Sequence, residues 1–261
     1  MKPCNASLPA SSGVDEVRAS RLRRPHPGVS GPLLVLALAA AATAASEAGG
    51  KCAGREADPD CALYVVVRKC LDTEVPGYCD ECPLPRTSYC PEAVGCEKTT
   101  EVWAGGQRYV ALRDASMCSC PQVVHGIVLP LGAVSGIEDP DRPRAIWKFA
   151  WDVTVNTALA PEQAALVVAS EAHRTQSQLH VHILPLDPER SVSLEATPSI
   201  EVPDLFGVWA KADELAGARG IRPYGILVHR KDAGWHVHVE NADQAAAYTL
   251  LPVCSKPVKK R

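Results

Sequence analysis

The sequence predicts an α+β domain preceded by cysteine-stapled loops. Three observations carry this expectation. Short apolar runs rich in β-branched residues recur along the chain and stop at proline or glycine. Another run, residues 143–159, repeats apolar residues at three- and four-residue spacing, the mark of a helix with one buried face. Cysteine, proline and glycine crowd the segment from Cys70 to Cys96, which has little periodicity of its own.

The chain has 261 residues with 46% hydrophobic content, enough for one good core or two small ones. A formal net charge of -3 argues against a general nucleic-acid binder, which needs a broad basic surface.

Residues 1–45 read as an N-terminal extension with a signal peptide or anchor. Arg18, Arg21, Arg23 and Arg24 precede the stretch GPLLVLALAAAATAAS. This is a basic region, then an apolar run, then the small-x-small form Ala42-Thr43-Ala44 of a cleavage site. The apolar run is shorter than the ~20 residues of a membrane span. Export follows, to the periplasm or the extracellular face of the cytoplasmic membrane, with the leader either cleaved or kept as an anchor.

The 11 cysteines fit an exported chain. Cys4 precedes the leader, and the rest form an even set able to pair in an oxidising compartment. A zinc reading stays open, since Cys79-x-x-Cys82 has ligand spacing and Cys118-Ser-Cys120 would complete a site. Residues 46–96 are therefore taken as a Cys-rich stapled segment, 97–255 as the main domain and 256–261 as a basic tail.

The elements follow in chain order. Residues 63–68, LYVVVR, read as a strand. Residues 109–112 and 125–129 are strands, the second halted at Pro130, which cannot donate to a central ladder. Residues 143–159 form a helix with Pro143 near its start and Ile146, Phe149, Ala150, Val153 and Thr157 on one stripe. Trp147 and Trp151 pair beside it and are read as core. Residues 164–169 are a strand and 187–204 a loop. Residues 209–218 are a helix stopped near Gly217 or Gly220. Residues 224–229 and 235–239 make a hairpin through Lys231-Asp232-Ala233-Gly234, and 248–253 a last strand.

The informative stretch is QLHVHILP. Alternation puts Leu179, Val181 and Ile183 on one face and Gln178, His180 and His182 on the other. An apolar back holds both imidazoles rigidly. Imidazole is the right group for a base, an acid or a nucleophile near neutral pH. Attack on phosphorus also needs donors for the equatorial oxygens, and Thr175, Gln176, Ser177 and Gln178 supply them as the substrate phosphate-binding set.

Other readings of the same residues stay open. His180 and His182 would be inert on a solvated face. With a second HVH at His236 to His238, they would make a four-histidine metal site. His236 and His238 otherwise read as the exposed face of an outer strand, and His125, His173 and His229 as structural or surface singles.

QLHVHILP resembles the histidine-triad signature. RTQSQLHVHI, preceded by VVASEA and IWKFAWDV, is similar to the bacterial CDP-diacylglycerol pyrophosphatase family, as are HGIVLP and YGILVHR. The resemblance implies a histidine-triad-like antiparallel sheet with flanking helices. It implies cleavage of the pyrophosphate bond of CDP-diacylglycerol to CMP and phosphatidate. His180 aligns with the nucleophile that becomes a nucleotidyl-histidine, and His182 with the third histidine, which assists at the phosphate or leaving group. Gln178 stands where the family signature has its first histidine. No cofactor or metal is required. The implied partners are a liponucleotide substrate and a membrane surface, with no nucleic acid. A metal-dependent enzyme on the two HVH pairs and an inactive exported binding domain are the alternatives.

Overall fold

The computed structural model describes residues 51–70, 102–114 and 124–251, all within one compact unit, Ser46–Arg261. The expected leader, the stapled loops with Cys79, Cys82, Cys90 and Cys96, the pair Cys118 and Cys120, Cys254 and the basic tail lie outside the described residues.

Among the described residues, eight strands form one antiparallel sheet: β1 (Val102–Gly105), β2 (Tyr109–Arg113), β3 (Gly126–Pro130), β4 (Ala164–Val168), β5 (Val181–Pro185), β6 (Ser199–Val202), β7 (Gly225–Lys231) and β8 (Gly234–Glu240). Their order across the sheet is β1-β2-β3-β5-β4-β7-β8-β6. The histidine strand β5 thus lies inside the sheet, paired to β3 and β4. Such a strand is held in register on both sides, so the side chains it carries are fixed in direction.

One face of the sheet carries the main core. Val128, Leu166, Val181, Ile183, Ile226, Val228, Val237 and Val239 pack there against helices α2 (Ile146–Thr154) and α3 (Val208–Arg219). The tryptophans clamp the layers together. Trp147 meets Trp209 of α3 edge-on at 4.8 Å, and Trp151 meets Trp235 of β8 at 4.5 Å. Each pair adds about 0.5–1.5 kcal/mol beyond its burial. The start of α3 is prepared by Asp204, whose carboxylate accepts from the Phe206 and Gly207 amides. The helix ends at Gly220 in the left-handed region, φ 65°, as the glycine signal predicted.

The opposite face is patchier, with two small apolar clusters. Val66 and Val67 cover its β1–β3 end. Leu194, with Tyr248 of helix α4 (Gln244–Tyr248), covers the β4–β7 region.

Four expectations are corrected. Residues 63–68 are not a strand: helix α1 (Ala62–Val65) runs into a wider turn, Val66–Cys70. The segment lies over the sheet rather than beside an edge, so packing overrides its β-branched composition. A Cys52–Cys61 disulfide ties it back on itself. Residues 187–204 hold a 3-10 turn, Ser191–Ala196, and strand β6. Residues 248–251 are not a strand, and 252–253 lie outside the described residues; the alanine-rich QAAAY forms α4 with Asp243 as its N-cap, and Thr249 makes one isolated bridge to Leu186. β8 is not outermost, because β6 pairs beyond it.

Candidate active site

Strand parity places the site. Leu179, Val181 and Ile183 are buried in the helix-side core, so His180 and His182 project to the other face. The register sets Ile127 of β3 opposite His182, which makes His125, two residues earlier, its diagonal neighbour. At the end of β2, the Asp114 amide donates to the His125 carbonyl at 2.8 Å. Three strand ends thereby deliver Asp114, His125, His180 and His182 to one spot.

The distances are short. His125 Nε2 lies 2.9 Å from His182 Nδ1 and 3.6 Å from Asp114 Oδ2. The His180 and His182 rings stand edge to face at 4.7 Å. His180 Nδ1 sits 2.8 Å from the Gln178 carbonyl oxygen. A carbonyl only accepts, so Nδ1 of His180 carries the proton and donates. In the neutral ring Nε2 then keeps its lone pair.

Burial holds these rings neutral. It pushes His180 and His125 below the ordinary imidazole range. His182 is driven well below it, by burial first and then by the charges His180 and His125 would carry. The Asp114 carboxylate pulls His125 back up in part. It also favours the proton on His125 Nε2, which then donates to His182 Nδ1 and leaves His182 with its own proton on Nε2.

A cation borders the cluster. Arg174, with a side chain 7% exposed, donates from Nη1 to Glu138 Oε2 at 2.7 Å, and its charge disfavours protonation of His180. It passes over Gly136, where a β-carbon would stand 2.3 Å from Nη1 and φ is 142°. Only glycine suits that position.

The four residues expected on phosphate are placed as follows. Gln178 is buried and donates its amide to the Pro130 and Gly132 carbonyls at 3.1 and 2.8 Å. Ser177 donates from its amide to the Asp60 carbonyl and from Oγ to Asp60 Oδ2, both at 2.7 Å. Gln176 accepts from the Leu63 amide at 3.0 Å and donates to Pro59 O. Thr175 is exposed. The stretch therefore bolts the disulfide-bonded N-terminal segment and the β3 exit loop to the start of β5.

Sequence reading missed His125 and Asp114. The available signal was that HGIVLP alternates with the same parity as the histidine strand. The four-histidine metal reading is corrected: His182, Val167, Leu227 and His238 stand abreast on β5, β4, β7 and β8, which separates the two HVH pairs by about 14 Å. The group able to hold an ion here is instead Asp114, His125 and His182, whose ligand atoms lie within 4.8 Å of one another.

The sequence profile of the CDP-diacylglycerol pyrophosphatase family matches residues 92–214. The chain thus carries a domain like that family's over part of its length. The matched span contains Asp114, His125, Arg174, His180 and His182 and ends before β7 and β8. No curated protein matches the chain.

Proposed function

We propose that the chain hydrolyses CDP-diacylglycerol to CMP and phosphatidate through a nucleotidyl-histidine formed on His180, in the manner of the histidine-triad enzymes. One observation carries the reading. The Gln178 carbonyl fixes the His180 proton on Nδ1 and so leaves an Nε2 lone pair for phosphorus.

In the first step His180 Nε2 bonds to the CMP-side phosphorus and the bond to the bridging oxygen breaks. The oxygen leaves with the electron pair as phosphatidate. The ring becomes cationic, and the Gln178 carbonyl stabilises the Nδ1–H that bears the charge. In the second step water bonds to phosphorus and releases one proton to solvent, the P–N bond breaks with its electron pair returning to Nε2, and CMP leaves with His180 restored. His182, presenting Nε2–H, donates to a phosphate oxygen, and His125 with Asp114 keeps it in that form. Arg174 offsets negative charge at the phosphates. Within the expected phosphate-binding set, Thr175 faces the substrate while Gln176, Ser177 and Gln178 hold the loop.

Export to the periplasmic or outer membrane face is proposed with this activity. The Cys52–Cys61 disulfide supports it, because such bonds persist in oxidising compartments. A membrane-resident substrate supports association with that surface. Among the described residues, no helix is long and apolar enough to cross a membrane.

The test is trapping at mildly alkaline pH with CDP-diacylglycerol labelled on the CMP phosphate. Label recovered on His180 is expected; full turnover with no protein-bound label rejects the covalent route. A second reading, metal-assisted hydrolysis at Asp114, His125 and His182, rests on their ligand geometry. It requires stoichiometric metal whose removal by a chelator stops CMP release.

A further inference from the structure

We propose that His229 and His238 form a second site, outside the family-like span, that binds a divalent transition-metal ion of the zinc type. The pair stands on neighbouring strands, β7 and β8, on the sheet face away from the long helices. Their Nε2 atoms lie 3.0 Å apart. Two imidazole nitrogens bound to one zinc ion at ~2.1 Å are separated by roughly 3.0–3.4 Å, so a modest tilt of each ring admits the ion.

The protonation pattern supports a metal. The Thr197 hydroxyl donates its single proton to the Leu194 carbonyl at 2.8 Å. The 2.8 Å contact between Thr197 Oγ1 and His238 Nδ1 is then donated by the ring. His238 is thereby set with a bare Nε2 facing His229, and the Nδ1–H to hydroxyl bond is the kind of outer contact that orients a metal-binding histidine.

The surroundings have the composition of a metal site. A cavity of about 530 Å³ opens on the pair and is also lined by His236, Glu162 and Glu195. Three of the chain's eight histidines thus share one cavity with two carboxylates. The cavity's Arg230 and Lys231 match those carboxylates in number, and Lys231 donates to Glu195 at 2.8 Å. The cavity leaves room for water or a further ligand at the remaining coordination positions. None of this depends on the role of His180.

The test is calorimetric titration of the chelator-stripped full chain with zinc chloride, alongside His229→Gln, His238→Gln and His182→Gln. Wild type and His182→Gln are expected to bind at this site. The other two are expected to lose that binding step, a weakening beyond the roughly 10–100-fold that loss of a ligand's supporting hydrogen bond costs. Unchanged zinc binding in His229→Gln and His238→Gln overturns the proposal. Should those variants misfold, zinc-edge anomalous scattering from crystals of the wild-type chain decides. A peak between the two Nε2 atoms supports the site, and its absence at millimolar zinc overturns it.

Discussion

His180 Nδ1 donates to the carbonyl of Gln178, two residues earlier on the same chain, at 2.8 Å. The acceptor is backbone, so the tautomer is built into the approach to β5 and survives changes elsewhere. Burial holds the ring below the ordinary imidazole range, which sets the pH dependence. An unperturbed histidine would lose its lone pair as pH falls through ~6.5. His180 keeps it further down. The acid limb of kcat/KM for CMP release from CDP-diacylglycerol is therefore expected below pH 6.5. A limb at or above pH 7 would contradict a buried, neutral nucleophile.

His180→Ala is expected to abolish turnover with the circular dichroism spectrum unchanged. His125→Phe tests positioning. It removes the donor that orients His182, so kcat should fall about 10–100-fold with KM little altered and the acid limb displaced. Equal losses of stability and activity in His125→Phe, with no change in the pH profile, would reduce His125 to a packing role.

Much of this was legible in the sequence, for physical reasons. The period-two pattern of Leu179, Val181 and Ile183 fixed which face His180 and His182 take. The stripe through Ile146, Ala150 and Val153 located α2, and Gly220 its counterpart's end. Convergence in space was not legible. His125 and His182 are 57 residues apart in sequence, and nothing local says that β3 pairs with β5. The order β5-β4-β7-β8 likewise separates two HVH motifs that look like partners on paper. The run LYVVVR failed because its neighbours, a disulfide and a sheet face, decide its form more than its own propensity does.

The N-terminal segment is expected to act through the loop before His180. Ser177 and Gln176 bond to Asp60, Leu63 and Pro59, and Cys52–Cys61 closes that segment with a sequence separation of 9. A loop of that size is worth roughly 2–3 kcal/mol in chain entropy. Cys52→Ser with Cys61→Ser should lower the thermal midpoint and reduce kcat. Asp60→Asn, which weakens the hydrogen bond from Ser177, should do the same more mildly. Full activity in the double cysteine variant would show that the segment is a passive cover.

Acid should destabilise the fold before any carboxylate titrates. His229 and His238 are lowered to about 4 and about 3, and His125, His180 and His182 are also lowered. In the unfolded chain these rings take up protons as pH falls through ~6.5; in the folded protein they do so only at lower pH. Between those values the unfolded state binds more protons, so stability rises with pH and is lost on acidification. The urea midpoint is expected to drop steadily from pH 7.5 to pH 5, a window above the ordinary carboxylate range. Replacing His229 and His238 together by glutamine should flatten that dependence. A midpoint that holds or rises toward pH 5 would mean that the buried rings are protonated in the folded protein.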